Sequence, residues 1–157
     1  MKLQKAIFGG GCFWGIEAAF REFRGVVDTA AGYMGGRLEN PSYEDVCTDA
    51  TGHAEVVMVT FDPSVVSYEQ LLDLFWKIHD PTTLNRQGPD IGTQYRSVIF
   101  YLDSSQEAAA GKSLNELQNS GQFDGSIITA IEKAADFWRA EDYHQYDNRP
   151  RHSSCRY

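Results

Sequence analysis

Three shortages bound what this 157-residue chain can be. It has three cysteines, far apart at positions 12, 47 and 155, and no Cys-x-x-Cys pair. An odd number with such spacing fits neither a secreted disulfide scaffold nor a zinc site, and leaves thiol chemistry in a reducing compartment. No segment approaches the ~20 consecutive apolar residues of a membrane helix. Met1-Lys2-Leu3-Gln4-Lys5 lacks the apolar run of a signal peptide, so a cytoplasmic protein with no membrane partner is expected. Positive charge is scarce, 14 Lys and Arg against 22 Asp and Glu, and the net charge of −8 argues against a nucleic-acid surface. The end of the chain departs from this, with Arg149, Arg151 and Arg156 and no acid after Asp147. The histidines at 53, 79, 144 and 152 have no metal-ligand spacing, and no metal is expected.

What is present suits a globular fold: 42% hydrophobic and 23% charged residues, in a length that suits one domain over 1–157. Residues 5–8 read as a short buried strand stopped by glycines. Residues 12–23 read as a helix whose Phe13, Ile16, Phe20 and Phe23 recur at helical steps, closed by Gly25. Strands are expected over 26–33 and 53–61, with a loop between them marked by Gly35-Gly36 and Asn40-Pro41. Ser67-Tyr68-Glu69-Gln70 is a capping-box start for a helix to about His79. Residues 80–94 are turn-rich and read as a long loop of the kind that often carries function. A strand over 95–102, a helix from Ser104 or Ser105 to Asn119, a strand over 127–131 and a short helix over 140–146 complete the order, followed by an irregular tail over 147–157. The first six elements, β-α-β-β-α-β, match the split βαβ plan: an α+β, ferredoxin-like two-layer sandwich without repeats or linker.

The most informative segment is Gly9-Gly10-Gly11-Cys12-Phe13-Trp14-Gly15. The glycines permit a tight turn, and Cys12 stands where a helix begins. Backbone N–H groups and the helix dipole there favour an anion, which pushes a thiol toward thiolate. A free cysteine can equally be a small buried hydrophobe, but such a position does not need three preceding glycines. The glycines do not hold a nucleotide: Gly-x-Gly-x-x-Gly fails at Trp14, and Ile16-Glu17 stands where a P-loop needs Lys-Ser/Thr. Phe13 and Trp14 are either core or an apolar slot beside the sulfur, suited to a small group such as a methyl on sulfur.

Other candidates lie elsewhere. Glu55, between Ala54 and Val56-Val57, is by composition a solvent-facing strand carboxylate. In an apolar setting it would instead be a proton donor of raised pKa. Tyr43 and Tyr95 pack the core unless their hydroxyls converge on the thiol. Cys155, among arginines in the tail, is either accidental or a resolving cysteine. Cys47 has no cation beside it and reads as a bystander. A hydrolase or transferase pairing Cys12 with a histidine stays open, as does a non-enzymatic binding domain with a reactive thiol.

Gly11-Cys12-Phe13-Trp14-Gly15 resembles the signature of the A-type peptide methionine sulfoxide reductases, specific for the S epimer. The likeness continues through Gly32-Tyr33 with Gly35-Gly36, Tyr43-Glu44-Asp45-Val46-Cys47 and Gly52-His53-Ala54-Glu55. It runs on through His79-Asp80-Pro81-Thr82, Asn85-Arg86-Gln87-Gly88, Gly92-Thr93-Gln94-Tyr95-Arg96-Ser97 and Ala140-Glu141-Asp142-Tyr143-His144-Gln145. The resemblance implies that Cys12 attacks the sulfoxide sulfur and Glu55 protonates its oxygen. Tyr43 and Tyr95 would hydrogen-bond that oxygen, Asp90 would support the site, and Phe13 and Trp14 would hold the methyl. It further implies a Cys12 sulfenic acid, a Cys12–Cys155 disulfide and reduction by thioredoxin, with no bound cofactor. Oxidised proteins and free methionine sulfoxide would be the substrates of a monomeric repair enzyme of the oxidative stress response. Family members differ in the number and position of their C-terminal cysteines, and some carry two; here only Cys155 follows Cys47, so no relay through a third, later cysteine is expected.

Overall fold

The computed structural model describes residues 2–145. At its centre lies β1 (Gln4–Gly9), whose apolar residues alternate between two faces. Ala6 and Phe8 enter the larger core, and Ile7 enters a smaller one on the other side. Residues apolar on both sides of a strand demand cover on both sides, and this strand is flanked by neighbours in the sheet as well. It pairs antiparallel with β3 (Ala54–Phe61) and with β6 (Val98–Tyr101). Outside β3 lies β2 (Val26–Met34), also antiparallel. The edges are β7 (Ala130–Lys133), parallel to β6, and β8 (Trp138–Arg139), antiparallel to β2. The resulting six-stranded sheet runs β7-β6-β1-β3-β2-β8 in a mixed α/β fold. A separate two-stranded hairpin, β4 (Arg86–Gln87) with β5 (Asp90–Ile91), stands in the segment read from sequence as a loop.

Among the described residues four α-helices accompany the sheet: α1 (Phe13–Arg21), α2 (Tyr43–Cys47), α3 (Tyr68–Lys77) and α4 (Ser104–Asn119). Phe13, Ile16 and Phe20 of α1 and Leu71, Leu72 and Phe75 of α3 are buried in one cluster with Phe8, Val57, Val59 and Phe61 of the sheet. Phe8 is its hinge: its ring lies 5.0 Å from that of Phe20 and 5.0 Å from that of Phe75. The opposite face, with Ile7, Met34, Val56 and Phe100, is covered by Ala134 and Phe137 between β7 and β8. The capping box of α3 forms as expected, Ser67 accepting from the Gln70 N–H and Gln70 closing back on the Ser67 N–H.

Four differences from the sequence reading have physical causes. The helix α2 carries its own capping box, Ser42 with Asp45; the shorter aspartate replaces the usual Glu or Gln and hides the signal. The residue capping α4 is Asp103, whose carboxylate accepts the Gln106 N–H, not Ser104 or Ser105. Tyr95 ends a 3₁₀ turn over Thr93–Tyr95 and does not begin β6. The last expected helix is a 3₁₀ turn over Asp142–His144. It is pinned to β2 by Gln145, which accepts from the Ala31 N–H at 2.8 Å and donates to the carbonyls of Ala31 and Ala140 at 3.0 and 2.9 Å. The tail over 147–157, with Cys155, lies outside the described residues.

Candidate active site

The turn from β1 into α1 presses against β3. A Cβ on Gly9 would stand 2.9 Å from the Glu55 carbonyl oxygen, and Gly11 has φ +110°, in the region glycine favours. This close approach sets Cys12 as the residue before α1, 1% exposed, beside the strand that carries Glu55. Its position before the first helical turn favours the thiolate of the reduced cysteine.

Glu55 is 1% exposed, so the solvent-facing reading of this carboxylate is replaced by the buried one. The alternation of β3 did not reveal this, because the strand is covered on both faces. One carboxyl oxygen, Oε1, accepts the Phe13 N–H at 3.2 Å. The other, Oε2, is buried without a hydrogen-bond partner among the described residues. Burial pushes the acid up from 4.5 to about 8; the Phe13 N–H opposes this and the Asp90 charge adds to it. Burial wins, and the group is a neutral acid at pH 7. With Oε1 already accepting, Oε2 is the oxygen that holds the proton.

Tyr95 lies near this acid, and Tyr43 lies near Tyr95. Tyr95, raised first by its burial, is raised further by the nearby charges of Glu55, Tyr43, Cys47 and Asp90, which makes it a persistently protonated donor. Tyr43 opens α2, its backbone N–H donating to Glu141 Oε2 at 3.0 Å. Tyr33, opposite Glu55 in the β2–β3 register, donates to Glu141 Oε1 at 3.2 Å. Asp90 stands on β5, its Oδ2 buried and without a hydrogen-bond partner among the described residues. Cys47 has a free, exposed thiol; burial of its surroundings raises its pKa and the Tyr43 hydroxyl lowers it by hydrogen bonding. The structure thus brings Cys12, Glu55, Tyr43, Tyr95 and Asp90 to one end of the sheet, with Cys47 at the margin.

Phe13 and Trp14 are 1% and 6% exposed. Between them sits His144, whose ring lies 5.2 Å from Phe13, 5.4 Å from Trp14 and 4.5 Å from Tyr43. Residue-by-residue reading missed this histidine as part of the wall; only its place in the 140–145 motif signalled it. Its ring nitrogens have no hydrogen-bond partner among the described residues, and burial lowers its pKa.

The histidines also answer the hydrolase alternative. His79 is held at both nitrogens, Nδ1 to the Phe75 carbonyl at 2.6 Å and Nε2 to Ser97 Oγ at 2.7 Å. The carbonyl accepts only, so Nδ1 carries the proton and Ser97 donates to Nε2. Burial drops its pKa to about 4, keeping it neutral. In His53 the Gly36 N–H donates to Nδ1, so Nε2 donates to the Leu38 carbonyl at 2.7 Å. His53 and His79 each have both ring nitrogens engaged elsewhere, so neither is a base for Cys12; His152 lies outside the described residues. No group of three metal-ligating side chains exists among the described residues, and no described helix is long and apolar enough to cross a membrane.

Residues 4–157 match the family model described as peptide methionine sulfoxide reductase. The chain is 65% identical over 144 residues to the peptide methionine sulfoxide reductase MsrA of Methanothermobacter thermautotrophicus, covering 92% of this chain and 85% of the relative. Among solved structures it is similar to Mxr1 from Saccharomyces cerevisiae in reduced form, with TM-score 0.90 and 37% identity over 98% of this chain and 90% of that one. It is also similar to Mxr1 in complex with Trx2, with TM-score 0.66 and 29% identity over 91% of this chain and 84% of that one.

Proposed function

The chain belongs to the peptide methionine sulfoxide reductase family, and we propose that it reduces methionine S-sulfoxide, free or in proteins, to methionine. The observation that carries this is Glu55: a neutral acid of pKa about 8, one oxygen tied to the residue after Cys12 and the other open. A sulfoxide oxygen leaves sulfur only when protonated. An acid that stays neutral at pH 7 beside a thiolate supplies both halves of that step.

In the proposed cycle the Cys12 thiolate forms a bond to the sulfoxide sulfur while Glu55 Oε2–H protonates the oxygen and the Tyr43 and Tyr95 hydroxyls hydrogen-bond it. The Phe13–Trp14–His144 wall receives the methyl. The hydroxyl then passes to the Cys12 sulfur as the bond between the two sulfurs and the methionine S–O bond break, so methionine leaves reduced by two electrons and Cys12 becomes a sulfenic acid. The Cys155 thiol then attacks that sulfur, water leaves, and a Cys12–Cys155 disulfide forms. An external dithiol reduces it and is itself oxidised to a disulfide. The likeness to Mxr1 in complex with Trx2 supports a thioredoxin as that dithiol, and no bound cofactor enters any step. We further read the protein as a monomeric, cytoplasmic repair enzyme of the oxidative stress response, one domain over 1–157 with Cys155 in its tail. The antiparallel order β6-β1-β3-β2, with α1 and α3 as its crossovers, supports a split βαβ, ferredoxin-like two-layer core.

The test is turnover with each epimer of methionine sulfoxide, first with dithiothreitol and then with thioredoxin, scoring methionine. Methionine from the S epimer alone is expected with both reductants. No methionine from the S epimer would overturn the proposal.

A further inference from the structure

The two hydroxyls that must meet at one sulfoxide oxygen come from elements far apart in sequence, Tyr43 from α2 and Tyr95 from the turn Thr93–Tyr95. Something must fix the distance between those elements, and the contacts of Asp49 do so. Asp49 follows Thr48, the residue that closes α2, and its own N–H still reaches back to the Val46 carbonyl at 3.1 Å. Its backbone has φ +64°, a left-handed position that glycine would take without strain. The chain nevertheless carries a carboxylate there. Asp49 Oδ1 accepts the Thr93 backbone N–H at 2.8 Å and also the Thr93 hydroxyl. The Thr93 N–H is the first of the 3₁₀ turn and has no acceptor within it. The carboxylate of one element therefore caps the turn that ends in Tyr95.

A second tie runs in parallel. Arg96, the residue after Tyr95, donates through Nη1 to the Thr93 carbonyl at 3.0 Å and through Nη2 to the Gly52 carbonyl at 3.1 Å. The Asp49 and Glu132 charges both act on its guanidinium. The segment it grips is itself held by Arg37, whose N–H donates to the Thr51 carbonyl at 2.8 Å and whose Nη2 donates to the Ala50 carbonyl at 3.2 Å. The turn is thus fastened to the α2–β3 connection at its first residue and just past its last.

We propose that Asp49 is a positioning residue of the sulfoxide site: by capping Thr93 it holds the Tyr95 hydroxyl in register with Tyr43 and Glu55. This rests on the reductase reading above. Asp49 touches no substrate and acts through Tyr95. Displacing a donor by a fraction of its hydrogen-bond length weakens its grip on the transition state more than on the bound substrate, so the loss falls on the chemical step.

The test uses the pre-reduced full chain and measures single-turnover methionine formation from the S epimer, together with thermal unfolding. Asp49→Gly suits the left-handed backbone and removes the cap. It is expected to keep the thermal midpoint while slowing methionine formation roughly tenfold. Asp49→Asn keeps an acceptor oxygen and tolerates the backbone, and is expected to restore the rate to within about twofold of the parent. In a Tyr95→Phe background, Asp49→Gly is expected to add nothing, because the hydroxyl it positions is gone. Unchanged single-turnover rates in Asp49→Gly, or the same loss with and without the Tyr95 hydroxyl, overturn the positioning role while leaving the reductase reading intact. A parent protein that makes no methionine overturns the reductase reading and this role with it.

Discussion

Glu55 Oε1 accepts the Phe13 N–H at 3.2 Å, so the buried acid is tied to the backbone of the residue that follows Cys12. That one bond fixes which oxygen holds the proton and where it points. It also makes the first turn of α1 serve both partners: its position favours the thiolate of Cys12, and one of its N–H groups orients the acid.

The pH dependence follows with a definite sign. Glu55 must be protonated to act, so the rate of methionine formation is expected to fall as pH rises through about 8. Glu55→Gln has no proton to give and should lose about 10²–10⁴ in rate with that limb of the profile gone. An unchanged rate would remove the acid from the mechanism.

Stability depends on pH with the same sign. Between 4.5 and about 8 the folded protein binds more proton at Glu55 than the unfolded chain does, so this group makes stability fall as pH rises through that window. Glu55→Gln stays neutral and should be the more stable of the two proteins at pH 9, as read by thermal unfolding. A parent that is the more stable there would contradict the burial argument.

His79 acts at lower pH with the opposite slope. Its folded pKa of about 4 lies below the ordinary 6.5, so the neutral ring stabilises the fold fully above 6.5 and this contribution is lost as pH falls through about 4. His79→Gln should therefore lose most relative to the parent near pH 7 and least near pH 4, in paired unfolding curves. It should not abolish reduction, which a Cys–His hydrolase pair would require.

Each tyrosine hydroxyl is expected to be worth a large factor in the chemical step. Tyr43→Phe and Tyr95→Phe should each slow single-turnover methionine formation by about 10² while the fold holds. Equal rates in both variants and the parent would leave the oxygen without its donors.

The core test is Phe8→Ala. Its ring is fully buried between Phe20 and Phe75. Removing it should cost about 3–5 kcal/mol, lowering the thermal midpoint by roughly 10 °C or more in a domain of this size. A shift of a degree or two would place the centre of the core elsewhere.

Part of the fold is legible within short stretches of the sequence. The glycine turn before Cys12, the Ser67–Gln70 box and the apolar runs of β1 and β3 announce themselves within a few residues. The burial of Glu55 is not local: it depends on β2 and β1 flanking β3 and on α1 closing over its start, so alternation alone left the carboxylate facing solvent. Tyr95 read as strand because aromatic and β-branched residues follow it, whereas the Asp49 and Arg96 contacts hold it in a turn. His144 showed no chemistry in sequence because its role as a wall comes from Phe13, Trp14 and Tyr43, none of them near it in the chain. The tyrosine and acid roles came from the family resemblance, and the geometry brings those side chains together.

The most direct test of the central claim is one turnover of pre-reduced Cys155→Ser with the S epimer of methionine sulfoxide and no added reductant. About one equivalent of methionine should form while Cys12 gains a single oxygen, read by mass spectrometry and lost in Cys12→Ser. Methionine formed without oxidation of Cys12, or formed by Cys12→Ser at the same rate, would contradict the account.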